Sequence, residues 1–172
     1  MDYFIIHQDE RVTDVVKLIP GSLNLRTLTR EQLQDISTTI IRRVKENSRN
    51  QYPDYLEEEG MLISEKLKKI MSKYQSNAVF KTIVLIEKNI HRQEIYYILS
   101  PPQIECTSSR AVYDKQGYMK EFVLDEEKVG HARIFCAEGY GNRIFVRLDV
   151  AESILRRMPY GVAFEKVTVE TS

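Results

Sequence analysis

Three histidines and two cysteines are the side chains of this sequence best suited to catalysis or metal binding. His7, His91 and His131 are dispersed, and no two have the i, i+4 spacing with which a helix presents two imidazoles to one metal ion. A pair of Cys106 with His131 would make a thiolate nucleophile, but nothing local marks Cys106 as activated, and a small buried residue is the favoured interpretation. We therefore predict no metal, no cofactor and no enzymatic activity.

The glycine-rich segment Gly139-Tyr140-Gly141-Asn142 is a second candidate for chemistry. A phosphate-binding loop opens a helix whose N-terminal amides face the anion, whereas here a strand pattern follows at residues 144–146. Another strand pattern precedes it at residues 134–137, so we predict a hairpin turn. Its tip, Tyr140, is a candidate partner contact, because exposed loops on a rigid scaffold often carry recognition.

Charged side chains cluster into two basic groups and one acidic group. The groups are Arg42, Arg43 and Lys45; Lys66, Lys68, Lys69 and Lys73; and Asp54, Glu57, Glu58 and Glu59. We expect each basic group on a helix face, where solvation or an acidic partner is favoured over nucleic acid. For the acidic loop, a solvated surface and a phosphate-mimicking contact with a basic partner both stay open.

Composition predicts one globular domain without need of a metal or disulfide. The 172 residues are 42% hydrophobic and 29% charged, which are ordinary globular values. The 25 basic residues balance the 25 acidic ones, whereas a dedicated nucleic-acid binder usually has a basic excess. No apolar run approaches the ~20 residues of a membrane span, and residues 1–8 lack a basic leader. We expect a cytoplasmic protein with reduced, buried cysteines.

Hydrophobic periodicity predicts three helices. The first spans residues 30–46 behind an N-cap at Thr29, and the second follows an N-cap at Ser64. The third begins at Asp149 with a capping box and stops before Pro159. Strands are predicted at residues 3–6, 79–86, 95–99, 118–124, 134–137, 144–146 and 162–169.

Two segments share one pattern of apolar positions. When residues 62–85 are laid over residues 146–169 without gaps, Phe80 falls on Phe164. Each aromatic is followed by two polar residues, after which the alternation restarts out of phase. A β-bulge in both strands would explain this shared irregularity.

The opening strand at residues 3–6 also matches residues 96–99, at a different offset. We therefore predict an α+β fold with a mixed or antiparallel sheet and about three helices, built from a duplicated strand–helix–strand unit. The single domain spans residues 1–172, with half-units at about 1–93 and 94–172. Residues 8–50 receive no functional role.

Five ordered segments resemble the Imm-eleven family of bacterial immunity proteins, and together they cover about residues 52–170. They are Tyr52-Pro53-Asp54-Tyr55-Leu56, Leu62-Ile63-Ser64-Glu65-Lys66-Leu67, Tyr96-Tyr97-Ile98-Leu99-Ser100-Pro101, Val123-Leu124-Asp125-Glu126-Glu127-Lys128 with Ile134-Phe135, and Gly161-Val162-Ala163-Phe164-Glu165. Each alone is mainly core pattern and helix cap, so their order and spacing carry the resemblance. One departure is Leu148-Asp149, where the family often opens this helix with Ser-Glu.

The resemblance implies a protein that binds and neutralises a cognate toxin of a bacterial polymorphic toxin system. It transfers no catalytic motif and does not locate the toxin-binding surface. From the loops, we take Asp54, Glu57, Glu58, Glu59 and Tyr140 as candidate contacts. The alternatives are a nucleic-acid or regulatory binding module that uses the basic groups, and an enzyme that uses Cys106.

Overall fold

The computed structural model describes residues 1–170, in which four short helices accompany fourteen strands. The helices are α1 (Arg30–Asp35), α2 (Glu65–Met71), α3 (Glu126–Val129) and α4 (Leu148–Leu155). The strands are β1 (Tyr3–Gln8), β2 (Ile40–Arg43), β3 (Tyr55–Leu56), β4 (Leu62–Ser64), β5 (Val79–Glu87), β6 (Arg92–Ser100), β7 (Gln103–Ile104), β8 (Val112–Tyr113), β9 (Met119–Glu121), β10 (Val123–Asp125), β11 (Ile134–Ala137), β12 (Phe145–Arg147), β13 (Val162–Lys166) and β14 (Thr168–Glu170).

Two five-stranded sheets form the frame of a single α+β domain. Their strand orders are β13-β1-β12-β11-β7 and β2-β5-β6-β4-β3. Pairing is antiparallel within both sheets except for β7 with β11 and β2 with β5, which are parallel. Two ribbons complete the fold, β10 with β14 and β8 with β9. The mixed-sheet α+β class predicted from the sequence is therefore confirmed.

Both sheets bury their two faces, because successive strand residues point to opposite sides. In β6, Tyr97 and Leu99 pack in a central core that also holds α2, α4 and one face of the other sheet. Tyr96 and Ile98 pack on the opposite face, in a core shared with α1. The first sheet has its own outer core, around Phe135 and its neighbours.

The duplicated strand–helix–strand unit appears as β4-α2-β5 and β12-α4-β13. In each unit the two strands flank a third, which comes from the other half of the chain: β6 lies between β4 and β5, and β1 lies between β12 and β13. Phe80 pairs with Leu99, and Phe164 pairs with Ile6. The registers of β5 and β13 therefore agree with the repeat seen in the sequence. Strands from the two halves of the chain are neighbours in each sheet.

The predicted β-bulge is wrong for β5, which pairs with β6 without a register shift from Val79 to Glu87. The alternation of apolar and polar residues changes phase because the first part of β5 contributes its apolar side chain to one core and the later part contributes to the core on the opposite face. Phe80 packs in the central core, whereas Ile83 and Leu85 point to the opposite face and pack with α1.

The predicted helix over residues 30–46 is also wrong beyond its first turns. The capping box of Thr29 with Gln32 is present, but α1 ends where Ile36 takes an extended conformation. The chain then forms β2, whose Ile40 pairs with Ile83. Branched apolar residues at these positions satisfy a helical period, yet they favour a strand once β5 offers a partner.

The third predicted helix begins at Leu148, before the expected cap, so the predicted capping box of Asp149 with Glu152 is wrong. Its N-cap is Arg147, without a side-chain cap, and the Asp149 carboxylate hydrogen-bonds the Arg147 guanidinium at 2.7 and 2.9 Å. A fourth helix, α3, was not predicted; Asp125 caps it by accepting from the N–H of Glu127 at 3.1 Å. The Ser64 cap of α2 is confirmed, since its hydroxyl accepts from the N–H of Leu67 at 3.3 Å.

Candidate functional site

The three consecutive glutamates occupy a tight turn between β3 and β4. Tyr55 and Leu56 before the turn are fully buried and anchor it in two of the cores. Gly60 has a φ of +110°, and a Cβ there would lie 3.1 Å from the backbone carbonyl of Leu25. Both the positive φ and the short distance to Leu25 disfavour a side chain at position 60. The turn is therefore closely packed against its neighbour, and the backbone that carries the glutamates is fixed.

His7 joins this turn to two strands of the first sheet. Its Nδ1 lies 3.1 Å from the carboxylate of Glu57, and its Nε2 lies 3.0 Å from that of Glu165 on β13. Glu57 also accepts from the backbone N–H of Gln8 at 2.9 Å. Three segments remote in sequence therefore meet at one imidazole.

Two adjoining surface depressions, of about 400 and 690 Å³, surround this bridge and share Gln8 and Glu10. Seven carboxylates and three cations line them, so the lining carries four excess negative charges. We call this surface the acidic face; its carboxylates are Asp9, Glu10, Asp14, Glu46, Glu57, Glu58 and Glu165, and its cations are Arg11, Lys17 and Lys45.

Part of this charge is paired within the protein. The Arg11 guanidinium hydrogen-bonds Asp9 and lowers the pKa of that carboxyl to about 2. By contrast, no cation of residues 1–170 lies within ion-pair distance of four exposed carboxylates, which are available to a partner. They are Glu10, Asp14, Glu46 and Glu58.

Asp54 was expected in the exposed acidic loop, but that exposure is wrong, since Asp54 is only 8% exposed. Its carboxylate accepts from the hydroxyl of Ser64 at 2.6 Å and the backbone N–H of Tyr160 at 2.7 Å. The ammonium of Lys66 lies 3.3 Å away. Asp54 is therefore an internal anchor rather than a surface charge.

Glu58 and Glu59 lie on different sides of the turn. Glu58 is exposed on the acidic face, as expected. Glu59 is partly buried, and this burial raises the pKa of its carboxyl, against the opposing effect of the Leu18 backbone N–H. Glu59 faces a neighbouring pocket with Arg26 and Arg42 instead.

The hairpin between β11 and β12 is confirmed, but its tip is folded back. The ring of Tyr140 stacks on Phe122 at 4.4 Å, and Arg143 covers it at 4.2 Å from the ring centre. The tip also approaches the loop beside the acidic turn, because the side-chain amide of Asn142 donates to the carbonyl of Arg26 at 2.7 Å. Tyr140 remains a candidate contact only through its partly exposed edge.

The first basic group departs from its expected helix face, whereas Lys66, Lys68 and Lys69 of the second lie on α2 as expected and Lys73 follows the end of that helix. Arg42, Arg43 and Lys45 lie on and after β2, so their predicted placement on a helix is wrong. On α2 the charges are largely engaged internally. Lys66 approaches Asp54, Lys69 lies 3.3 Å from Glu65, and Lys68 lies over the ring of Tyr97 at 4.8 Å.

Neither cysteine has the environment of an activated thiol. Cys106 and Cys136 are free and buried, as predicted, and burial raises the pKa of each thiol to about 12. Across the described chain, no group of three or more His, Cys, Asp or Glu side chains is placed to hold a metal ion. In the cluster around His7, the two ring nitrogens face different carboxylates rather than one common point.

No protein-family model and no curated protein matches this sequence. None of the helices within residues 1–170 is long and apolar enough to cross a membrane.

Sequence reasoning found the glutamate turn but missed most of the acidic face. In the sequence His7 is one of three dispersed histidines, and Glu165 is part of a predicted strand. Neither has a local signal, because their meeting depends on the pairing of β1 with β13, in which His7 lies opposite Ala163. Glu10, Asp14 and Glu46 belong to the segment that received no role.

Proposed function

We propose that this chain is an immunity protein that binds and neutralises a cognate toxin of a bacterial polymorphic toxin system, through the acidic face. The observation that carries the proposal is the concentration of four excess negative charges on one surface of a chain with zero net charge. The ordered resemblance of residues 52–170 to Imm-eleven proteins supports the immunity function, whereas the choice of the acidic face rests on the charge alone. The partner expected from this charge is a toxin with a basic surface.

The acidic face is suited to binding because little of it must be ordered on association. The closely packed Gly60 fixes the turn, and His7 holds Glu57 and Glu165 from either side. A binding surface that is already rigid avoids part of the entropy cost of association. Exposed, unpaired carboxylates such as Glu10 and Glu58 then supply long-range attraction, which raises the association rate.

Inhibition by this route is stoichiometric. The chain occupies a surface of the toxin and leaves it chemically intact, so protection saturates at one equivalent. The direct test is to express the toxin encoded beside this gene in bacteria with and without this chain. We expect growth to be rescued and a one-to-one complex to be recovered with intact toxin. Absence of binding to that toxin, or protection at far less than one equivalent, contradicts the proposal.

Charge reversals distinguish the acidic face from the rest of the surface. We expect Glu10→Lys with Glu58→Lys to weaken toxin binding by about tenfold or more, mainly through a slower association rate at low salt. Glu121→Lys with Asp35→Lys is the matched control, because both residues are exposed and outside the two depressions, and the net charge changes by the same amount. If the double variant binds the toxin as tightly as the wild type does, the acidic face is not the binding surface. That result would not contradict the proposal that the chain neutralises the toxin.

A further inference from the structure

A separate pocket lies on the other side of the glutamate turn. It is an open depression of about 540 Å³, bordered by residues of the segment 17–26, by Arg42 of β2 and by the turn itself. Four cations line it, namely Lys17, Arg26, Arg42 and Lys45, together with Glu58 and Glu59. We call it the cationic pocket. Lys17, Lys45 and Glu58 lie at its border with the acidic face, whereas both arginines belong to the pocket alone.

The cations of this pocket have no acidic partner within ion-pair distance among residues 1–170. Four cations against two glutamates leave a lining with two excess positive charges. Four such cations around one depression give it a local positive excess in a protein with zero net charge. An anion is therefore the ligand that the lining favours.

Arg42 is held in place for such a ligand by the backbone around it. Its guanidinium donates to the carbonyl of Leu23 at 2.9 Å and to that of Ile41 at 3.1 Å. Gly21 makes room for it, since a Cβ at position 21 would lie 2.8 Å from the Cζ atom of Arg42. A guanidinium positioned in advance loses less side-chain entropy on binding and matches the geometry of phosphate oxygens.

Part of the remaining lining is apolar, with Leu18, Leu23 and Leu25 beside the cations, and Asn24 adds a polar amide. The volume lies within the roughly 300–1,000 Å³ typical of small-molecule sites. Several separated cations offer more hydrogen-bond donors than a single carboxylate accepts, whereas adjacent phosphates accept many. Together these features describe a site for a polyanionic head group with space for an attached apolar group.

We propose that the cationic pocket binds a small phosphate-bearing molecule through a diphosphate group. The proposal does not depend on toxin binding. Two ligands share this chemistry, free diphosphate and a nucleoside diphosphate. Only the nucleoside diphosphate would also contact the leucines of the pocket.

The test is isothermal titration calorimetry of the full chain with inorganic pyrophosphate, ADP and adenosine at low salt. We expect saturable binding of pyrophosphate with a Kd below about 1 mM, and no binding of adenosine. Tighter binding of ADP than of pyrophosphate would assign a nucleotide, and equal binding would assign free diphosphate. Failure of pyrophosphate to bind, or binding of adenosine as strong as that of ADP, overturns the proposal.

Neighbouring arginines provide a matched control. We expect Arg42→Gln to weaken pyrophosphate binding about tenfold, and Arg43→Gln, outside the pocket on the same strand, to leave it within about twofold. Because Arg42 also hydrogen-bonds the loop backbone, its replacement could disturb the fold. Arg26→Gln is therefore the second variant, since the Arg26 side chain makes no hydrogen bond within residues 1–170. Equal loss in Arg43→Gln, or no loss in Arg26→Gln and Arg42→Gln, contradicts the site.

Discussion

Asp54 and Tyr160 hydrogen-bond each other twice, although 106 residues separate them. The backbone N–H of Tyr160 donates to the Asp54 carboxylate at 2.7 Å, and the backbone N–H of Asp54 donates to the Tyr160 carbonyl at 2.7 Å. The same carboxylate accepts from the hydroxyl of Ser64, the cap of α2. Asp54 thus fastens the loop after α4 to the start of the other strand–helix–strand unit.

The first prediction concerns this anchor. Asp54→Ala should lower the free energy of unfolding by about 1–3 kcal/mol, because two partly buried donors lose their acceptor. Glu58→Ala should change it by less than about 0.5 kcal/mol, since Glu58 is exposed. Urea denaturation followed by circular dichroism measures both. An Asp54→Ala variant as stable as Glu58→Ala would show that Asp54 is a surface charge after all.

A second prediction compares two buried tyrosines. The hydroxyl of Tyr55 has no hydrogen-bond partner within residues 1–170, whereas that of Tyr96 donates to the carbonyl of Pro53 at 2.7 Å. Tyr55→Phe should therefore leave stability unchanged or raise it by about 1 kcal/mol, and Tyr96→Phe should lower it by about 1 kcal/mol. Thermal and urea unfolding of the two single variants check the difference. The reverse order of stability would contradict this assignment of hydrogen bonds.

The sequence was most informative where local and long-range preferences agree. In β6 and β1 the matched residues meet β5 and β13 at equivalent sites, since Leu99 pairs with Phe80 and Ile6 pairs with Phe164. On the other side the registers differ by one residue, because Tyr96 pairs with Ser64 whereas Tyr3 pairs with Arg147. The sequence also places the core aromatics correctly. The hydrophobic pattern does not reveal which strand pairs with the strand that carries each aromatic, because the same alternation fits a partner strand from either half of the chain.

The failures have the same physical origin. Residues 40–44 fit a helical period, and only the approach of β5 decides for a strand. The acidic face combines residues from separate segments, so only the glutamates of the turn appear as a cluster in the sequence. Asp54 looks like a fourth member of that cluster, but a buried position beside Ser64 and Tyr160 changes its role.

A third prediction concerns the thiols. Because burial raises the pKa of Cys106 and of Cys136 to about 12, neither is ionised appreciably near neutral pH. Both should resist a thiol-specific disulfide reagent in the native protein at pH 8 and react promptly in denaturant. The readout is the number of thiolate equivalents released with time. One fast equivalent from the native protein would restore the hypothesis of an enzyme that uses Cys106.

The final prediction follows from Glu59, whose pKa is raised in the folded protein, chiefly by burial. A raised carboxyl pKa means that the folded state holds its proton more tightly than the unfolded state. Stability contributed by this group is therefore greatest below the unfolded pKa, near the ordinary value of 4.5, and falls as the pH rises through the folded pKa. Ionised Glu59 destabilises the fold at neutral pH.

Glu59→Gln removes that ionisation while keeping an oxygen that can accept from the Leu18 N–H. The variant should be more stable than the wild type at pH 7, and its advantage should shrink as the pH falls below the ordinary carboxyl pKa. Urea titrations of both proteins at several pH values measure this difference, in which most other titrating groups cancel. Glu58→Gln is the control and should show no such trend, because Glu58 is exposed. A Glu59→Gln variant whose advantage grows at low pH would reverse the sign and contradict the desolvation of Glu59.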